Sequence, residues 1–195
     1  MVELNRKIEQ GEATRRELVA VARELFAERG YDAVSIEMVL QKTGVSRGAL
    51  YHHFKSKGAL FAAVLEAVEG DLAAALAGTA QGIADPVAAL RAGCEAWLRF
   101  ARDPAIRQIA LIDAPAVVGW QRWREIDEQH GFGLLKRALQ ASGRVRQDLI
   151  DPFAHMLLAA LAELALMVAR SPDPAAAMPG AQAALDELLD RLLRT

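Results

Sequence analysis

The chain has 195 residues, 53% of them hydrophobic and 25% charged, which fits a globular protein of one or two domains and excludes a collagenous or low-complexity chain. Its formal net charge of −2 does not advertise a nucleic-acid partner, and its one cysteine, Cys94, allows no internal disulfide. The N-terminus is polar and acidic rather than signal-like, and no apolar run reaches the length of a membrane span, so the expected setting is a reducing cytoplasm without a membrane partner.

The predicted elements are all helices. Thr14 opens the first with capping-box spacing to Glu17, and Leu18, Val21, Ala22, Leu25 and Phe26 form its apolar face up to Gly30. Ser35 caps a short second helix. It stops at Thr43-Gly44-Val45-Ser46, where Gly44 suits the left-handed turn between two helices. Ser46 caps a third helix, Arg47 to Phe54, and Ser56 a fourth, Lys57 to about Ala77. Asp85-Pro86, Asp103-Pro104 and Asp151-Pro152 each carry the cap-then-proline start signal. The first of these helices reaches about Arg102, the second Asp113 and the third Arg170; Pro115 interrupts, and a long amphipathic segment covers about 117–140. A final helix follows Ser171-Pro172-Asp173-Pro174 and carries Leu185, Leu188, Leu189 and Leu192.

Charge is distributed unevenly. Residues 1–60 hold ten Lys/Arg against eight Asp/Glu, and within 42–57 there are four bases (Lys42, Arg47, Lys55, Lys57), two histidines and no acid. Three helices with a glycine turn between the last two suggest a helix-turn-helix over 35–54. At about 100° per residue, Leu50 and Phe54 share the inward face of the third helix, while Arg47, Gly48, Tyr51, His52 and Lys55 occupy a donor-rich sector beside and opposite it. Glycine is unfavourable inside a helix, and Gly48 makes sense where backbone must approach another surface. Arg47 can fork onto a guanine edge or a phosphate, Tyr51 and His52 can reach either, and Lys55 and Lys57 can anchor phosphates. His53 falls between core and groove, and packing and contact remain equal alternatives for it.

The run TGVSRGALYHHFKSKGALF, Thr43 to Phe61, together with Leu25-Phe26-Ala27-Glu28-Arg29-Gly30-Tyr31, resembles the signature of the TetR/AcrR family of bacterial regulators over about residues 12–70. Val39-Leu40 and Thr43-Gly44 stand where that family has an Ile-Ala pair and an Ala-Gly. The resemblance implies that Ser35, Ser46, Arg47, Gly48, Tyr51, His52 and Lys57 touch DNA. It implies an all-α protein with two parts: a three-helix DNA-binding unit, 1–56, and a larger helical effector-binding and dimerisation domain, 57–195. The last two helices of each subunit would form a four-helix bundle.

The residues agree on independent grounds. The 152–168 segment is apolar nearly all round, so it must be buried on two sides, one of which a partner chain can supply. Leu158, Ala162, Leu166, Leu185, Leu188, Leu189 and Leu192 are the candidates for a homodimer interface. A two-fold dimer reads a palindromic operator with recognition helices about 34–36 Å apart. Cys94, Trp97, Phe100, Trp120, Trp123, Asp127, His130, His155 and Met156 are candidates for an apolar effector pocket with a few polar contacts, core filling being the alternative for each aromatic. The expectation is a ligand-responsive regulator, a repressor or an activator, released from double-stranded DNA by a small apolar or amphipathic effector. No phosphate-binding glycine loop, nucleophile elbow or His pair supports an enzyme, a metal or a cofactor. A helical protein–protein module without DNA binding is the remaining rival.

Overall fold

The computed structural model describes residues 2–194, apart from the side chains of 2–5, 7, 8, 127 and 169. Among the described residues every regular element is helical: α1 (Val2–Ala33), α2 (Ile36–Thr43), α3 (Arg47–His53), α4 (Lys57–Thr79), α5 (Pro86–Phe100), α6 (Ala114–Val117), α7 (Trp120–Asp127), α8 (Gly133–Ser142), α9 (Ile150–Arg170) and α10 (Pro174–Leu193). Two π-helical segments, Ile106–Asp113 and Glu128–Phe132, and a 3₁₀ turn, Gln147–Leu149, lie among them.

α1 begins at Val2, a dozen residues before the expected start. Thr14 is not its cap: the hydroxyl donates back to the Gln10 carbonyl at 3.0 Å, the usual mid-helix arrangement for threonine. The helical path breaks at Gly30 (φ 75°, ψ 166°), a conformation that side chains rarely adopt. Leu18, Ala22, Leu25 and Phe26 of α1, Ile36 and Val39 of α2, Leu50 of α3 and Leu60, Phe61, Val64 and Leu65 of α4 then share one buried cluster. Phe26, Tyr31 and Phe61 meet ring to ring at its centre, with centroids 5.2–5.8 Å apart. Leu40 is half-buried and packs against this cluster.

The same core runs on along α4 into the larger helical part. Asp85 caps α5 through the Val87 and Ala88 amides, and Asp103 accepts from the Ala105 amide at 2.8 Å. The helix expected after Asp103-Pro104 is wound as a π-helix, and Pro115 sits in the first turn of α6 instead of breaking the chain. The long segment expected over 117–140 is divided by Gly119 and by the second π-helical turn. By length and composition Gln147–Val168 would pass as a membrane span, contrary to the expectation. However, Ala154, Leu157, Leu161, Ala165 and Val168 form a buried face of α9, which marks it as a core helix of this bundle.

Candidate nucleic-acid interface

α2, its turn and α3 are held by short-range bonds. Ser35 Oγ accepts the Met38 amide at 3.2 Å, and Ser46 Oγ accepts the Ala49 amide at 3.2 Å. Gly44 takes φ 71°, which lets its N–H return to the Leu40 carbonyl at 2.8 Å. Thr43 Oγ1 donates to the Val39 carbonyl at 2.9 Å and accepts the Val45 amide at 3.3 Å, so the turn is closed from both sides. Leu50 and Phe54 point inward and are buried.

The opposite face is open. Arg47, Gly48, Tyr51 (39% exposed) and His52 lie along it, with Lys55 just beyond. A Cβ added at Gly48 would meet nothing within 4 Å, so the chain's own packing does not require glycine there. Lys55 has no ion-pair partner among the described residues. Lys57 Nζ sits 4.0 Å over the Tyr31 ring, a cation–π contact that sets its position at the start of α4. Lys42 is paired with Glu24 at 2.8 Å, which holds its ammonium pKa above the ordinary value.

Arg47 donates to Glu37 Oε1. Glu37 lies outside the acid-free window of the sequence, yet α2 brings it to the window's principal base. Its carboxyl is held below the ordinary carboxylate range, first by a backbone hydrogen bond and then by Arg47. Sequence reasoning missed this residue because the pair, ten positions apart, is brought together only by the helix-turn-helix angle. His53, left open above, turns toward α1: a Cβ at Gly11 would lie 3.8 Å from its Cε1. Burial, His52 and Arg15 push its pKa down, in that order.

The candidate effector residues separate into three groups. Cys94 and Trp97 line a cavity of about 110 Å³ between α4, α5, α8 and α9, and Leu158 and Leu161 close it from α9. Trp97, Trp120 and Trp123 line a second cavity of about 80 Å³ with Glu69, Arg124, Leu158 and Ala162. Phe132 and His155 stack at 4.2 Å, His155 Nδ1 lies 3.3 Å from Arg124, and Arg124 covers the Trp120 ring at 4.9 Å. His130 rests near Gly70 of α4, and Phe100 is half-buried against the core; neither lines these two cavities. The side chain of Asp127 lies outside the described residues.

Met156 is a correction. It is 64% exposed and points outward, into a groove with Leu188 and Leu192, rather than into a pocket. Two of the expected interface residues are corrected in the other direction. Leu185 and Leu189 are wholly buried within the chain and leave no surface for a partner, while half-buried Leu158 lines both cavities and half-buried Ala162 the second. Leu166 is half-buried. Among the described residues, the large apolar groups that remain exposed on α9 and α10 are Met156, Met167 (59% exposed) and Leu188, with half-buried Leu192 beside them.

Residues 18–64 match the family model of the bacterial regulatory proteins of the tetR family, and residues 87–192 match the tetracyclin repressor-like C-terminal domain. The chain belongs to the TetR family. A TetR-family transcriptional regulator from Pectobacterium atrosepticum superposes with a TM-score of 0.78 at 34% identity, over 96% of this chain and 97% of that one. The Transposon Tn10 TetC protein of Escherichia coli is 31% identical over 129 residues, 66% of this chain and 65% of its own length. The HTH-type transcriptional repressor Rv1474c of Mycobacterium tuberculosis is 48% identical over 52 residues, 27% of this chain and 28% of its own. The chain thus spans less than two thirds of the length of either curated relative.

Between the two parts of this TetR-family chain, the Tyr31 amide donates to Asp113 Oδ2 at 2.8 Å, and Gln108 Nε2 donates to Asp113 Oδ1 at 3.0 Å. The π-helical segment carrying both residues packs on α1 and α4. Asp113 was legible only as a helix end; the signal that could have found it is an acid one turn from Gln108 in an otherwise apolar stretch.

Proposed function

We propose that this protein is a transcriptional repressor that binds a palindromic operator as a homodimer and is released by a small apolar or amphipathic effector. The observation that carries the reading is the outer face of α3: Arg47, Gly48, Tyr51 and His52 exposed together above a buried Leu50 and Phe54. Arg47, Tyr51 and His52 are the base-reading or phosphate-reading groups, Ser35, Ser46, Lys55 and Lys57 position the backbone, and Gly48 permits the close approach. Residues 1–56 act as the reader and 57–195 as the effector and dimerisation unit, at work in the cytoplasm. The repressor sign follows the name of the mycobacterial relative, whose likeness covers 52 residues of this chain. Met156, Met167 and Leu188 supply the outward apolar face for a second copy, which sets two α3 helices in successive major grooves.

The test is a gel shift on duplex DNA from the gene's own upstream region, repeated across a salt series. Binding should fall steeply with salt, and Arg47→Ala should weaken it far more than Arg194→Ala. No binding at low salt, or equal effects of the two substitutions, would sink the reading.

A further inference from the structure

The cavity between α4, α5, α8 and α9 has a lining of one chemical kind. At its base stand Leu90, Cys94, Trp97 and Leu161, all buried, and no charged side chain reaches it among the described residues. The room comes from small residues: Ala77 is exposed at its edge, and a Cβ added at Gly93, which lines it, would meet no atom within 4 Å. Two cationic groups of this half are engaged elsewhere: Arg124 lies between Trp120 and His155, and Lys136 is paired with Asp151 at 2.6 Å.

The geometry points to a neutral, largely apolar molecule of single-ring size as the occupant of this cavity, with carboxylate and ammonium compounds excluded. Apolar cavities on the order of 150 Å³ take up benzene-sized molecules, and this one, about 110 Å³ and open at its Ala77 edge, is of that order. A carboxylate placed here would lose its water and meet no cation, so the lining selects against charge. Cys94 does not change this, because burial pushes its thiol up to about 12 and it enters the cavity as a neutral, weakly polar group. The inference rests on the regulator reading for its role. It narrows that reading from an apolar or amphipathic effector to an uncharged one, and it places the site beside Gly93, Cys94 and Trp97, away from Trp120 and Trp123.

The experiment is a thermal-shift titration of the full chain at neutral pH with toluene and, in parallel, with benzoate. Toluene should raise the melting temperature in a saturable way, and benzoate at equal concentration should not. Gly93→Leu places its side chain in the open space and should weaken toluene binding by about tenfold or more. Gly93→Ala, a gentler filling that favours the helix, should weaken it less, both variants keeping the wild-type far-ultraviolet dichroism. Equal shifts with both compounds, no shift with toluene, or undiminished toluene binding by the folded variants would overturn the assignment. Binding of the wild-type chain to its upstream DNA is measured without either compound. Its absence beside intact toluene binding defeats the regulator reading and leaves the cavity assignment supported; the converse defeats the cavity assignment alone.

Discussion

Tyr31 and Asp113, 82 residues apart, are joined by a 2.8 Å hydrogen bond from the Tyr31 amide to the Asp113 carboxylate. The same tyrosine carries Lys57 over its ring and packs edge-on against Phe61, so one residue touches the start of α4, the aromatic centre of the reader and the end of the π-helical segment. A ligand that shifts the π-helical segment relative to α1 would act on the reader through this point, provided it favours one of two arrangements over the other. Asp113→Ala removes both acceptor oxygens and leaves the half-buried Tyr31 amide and Gln108 amide short of partners. We expect a loss of about 1–3 kcal/mol in urea unfolding, with Asp113→Asn, which keeps one acceptor, losing less. Indistinguishable unfolding midpoints for Asp113→Ala and the parent would show that this bond carries nothing.

If Arg47 reads DNA as proposed, Glu37 competes with the duplex for its guanidinium. On the bound duplex, a carboxylate beside the reading face also repels phosphate. Glu37→Gln should therefore raise affinity for any duplex at low salt by a few-fold, and narrow the ratio between operator and random DNA. Fluorescence anisotropy with both DNAs reads the two effects separately. Because Arg47 and the helix backbone hold the Glu37 carboxyl below its ordinary range, the pair persists across neutral pH and is lost only as pH falls through that lowered value. An unchanged ratio would assign Glu37 to the surface alone.

Much of the reader was legible because its signals are local. Ser35, Ser46 and Ser56 each bond an amide three residues on, and Gly44 closes a turn within four residues, so short windows of sequence contain the whole cause. The regulatory half was less legible for the opposite reason. α9 is apolar on nearly every side, so periodicity could not tell the faces of Leu158 and Ala162 from that of Met156; only packing against α5, α8 and α10 decides it. The large aromatics mark only part of the cavity lining: Trp97 borders both cavities, and Trp120 and Trp123 border the second. Trp120, Arg124, His155 and Phe132 stack on one another, whereas space opens where Ala77, Ala80, Ala89, Gly93 and Ala138 converge. Missing volume leaves no mark in a hydropathy pattern.

His53 gives a pH signature. Burial against α1, with His52 and Arg15 nearby, lowers its pKa below the ordinary 6.5, so the folded state binds its proton more weakly than the unfolded chain does. The sign follows: stability is full above pH ~6.5 and declines as pH falls through the interval down to the lowered folded value. His53→Gln should flatten that part of the stability–pH curve. A variant whose curve superposes on the parent's between pH ~5 and ~7 would remove His53 from the account.

Cys94 should be inert in the native protein. Its thiol is pushed up to about 12 mainly by burial, and the thiolate is the reactive species. Thiol titration with a chromogenic disulfide is expected to find no group in the folded chain even at pH ~9, and one in denaturant. Rapid reaction of the native chain would restore Cys94 as a redox candidate.

Gly48 separates stability from function most sharply. Its helical position would favour alanine by about 0.5–1 kcal/mol, and no atom of the chain stands where the new Cβ would go. Gly48→Ala should therefore melt higher than the parent. If DNA backbone or base edges approach this face as closely as proposed, the same substitution should weaken operator binding, and Gly48→Leu, with a side chain projecting further into the groove, should weaken it more than tenfold, about 1.4 kcal/mol. Opposite signs for stability and binding cannot come from damage to the fold, since a damaged fold lowers both. Binding that rises or holds alongside stability would mean that this face of α3 does not meet DNA, and Arg47 would have to be read from another direction.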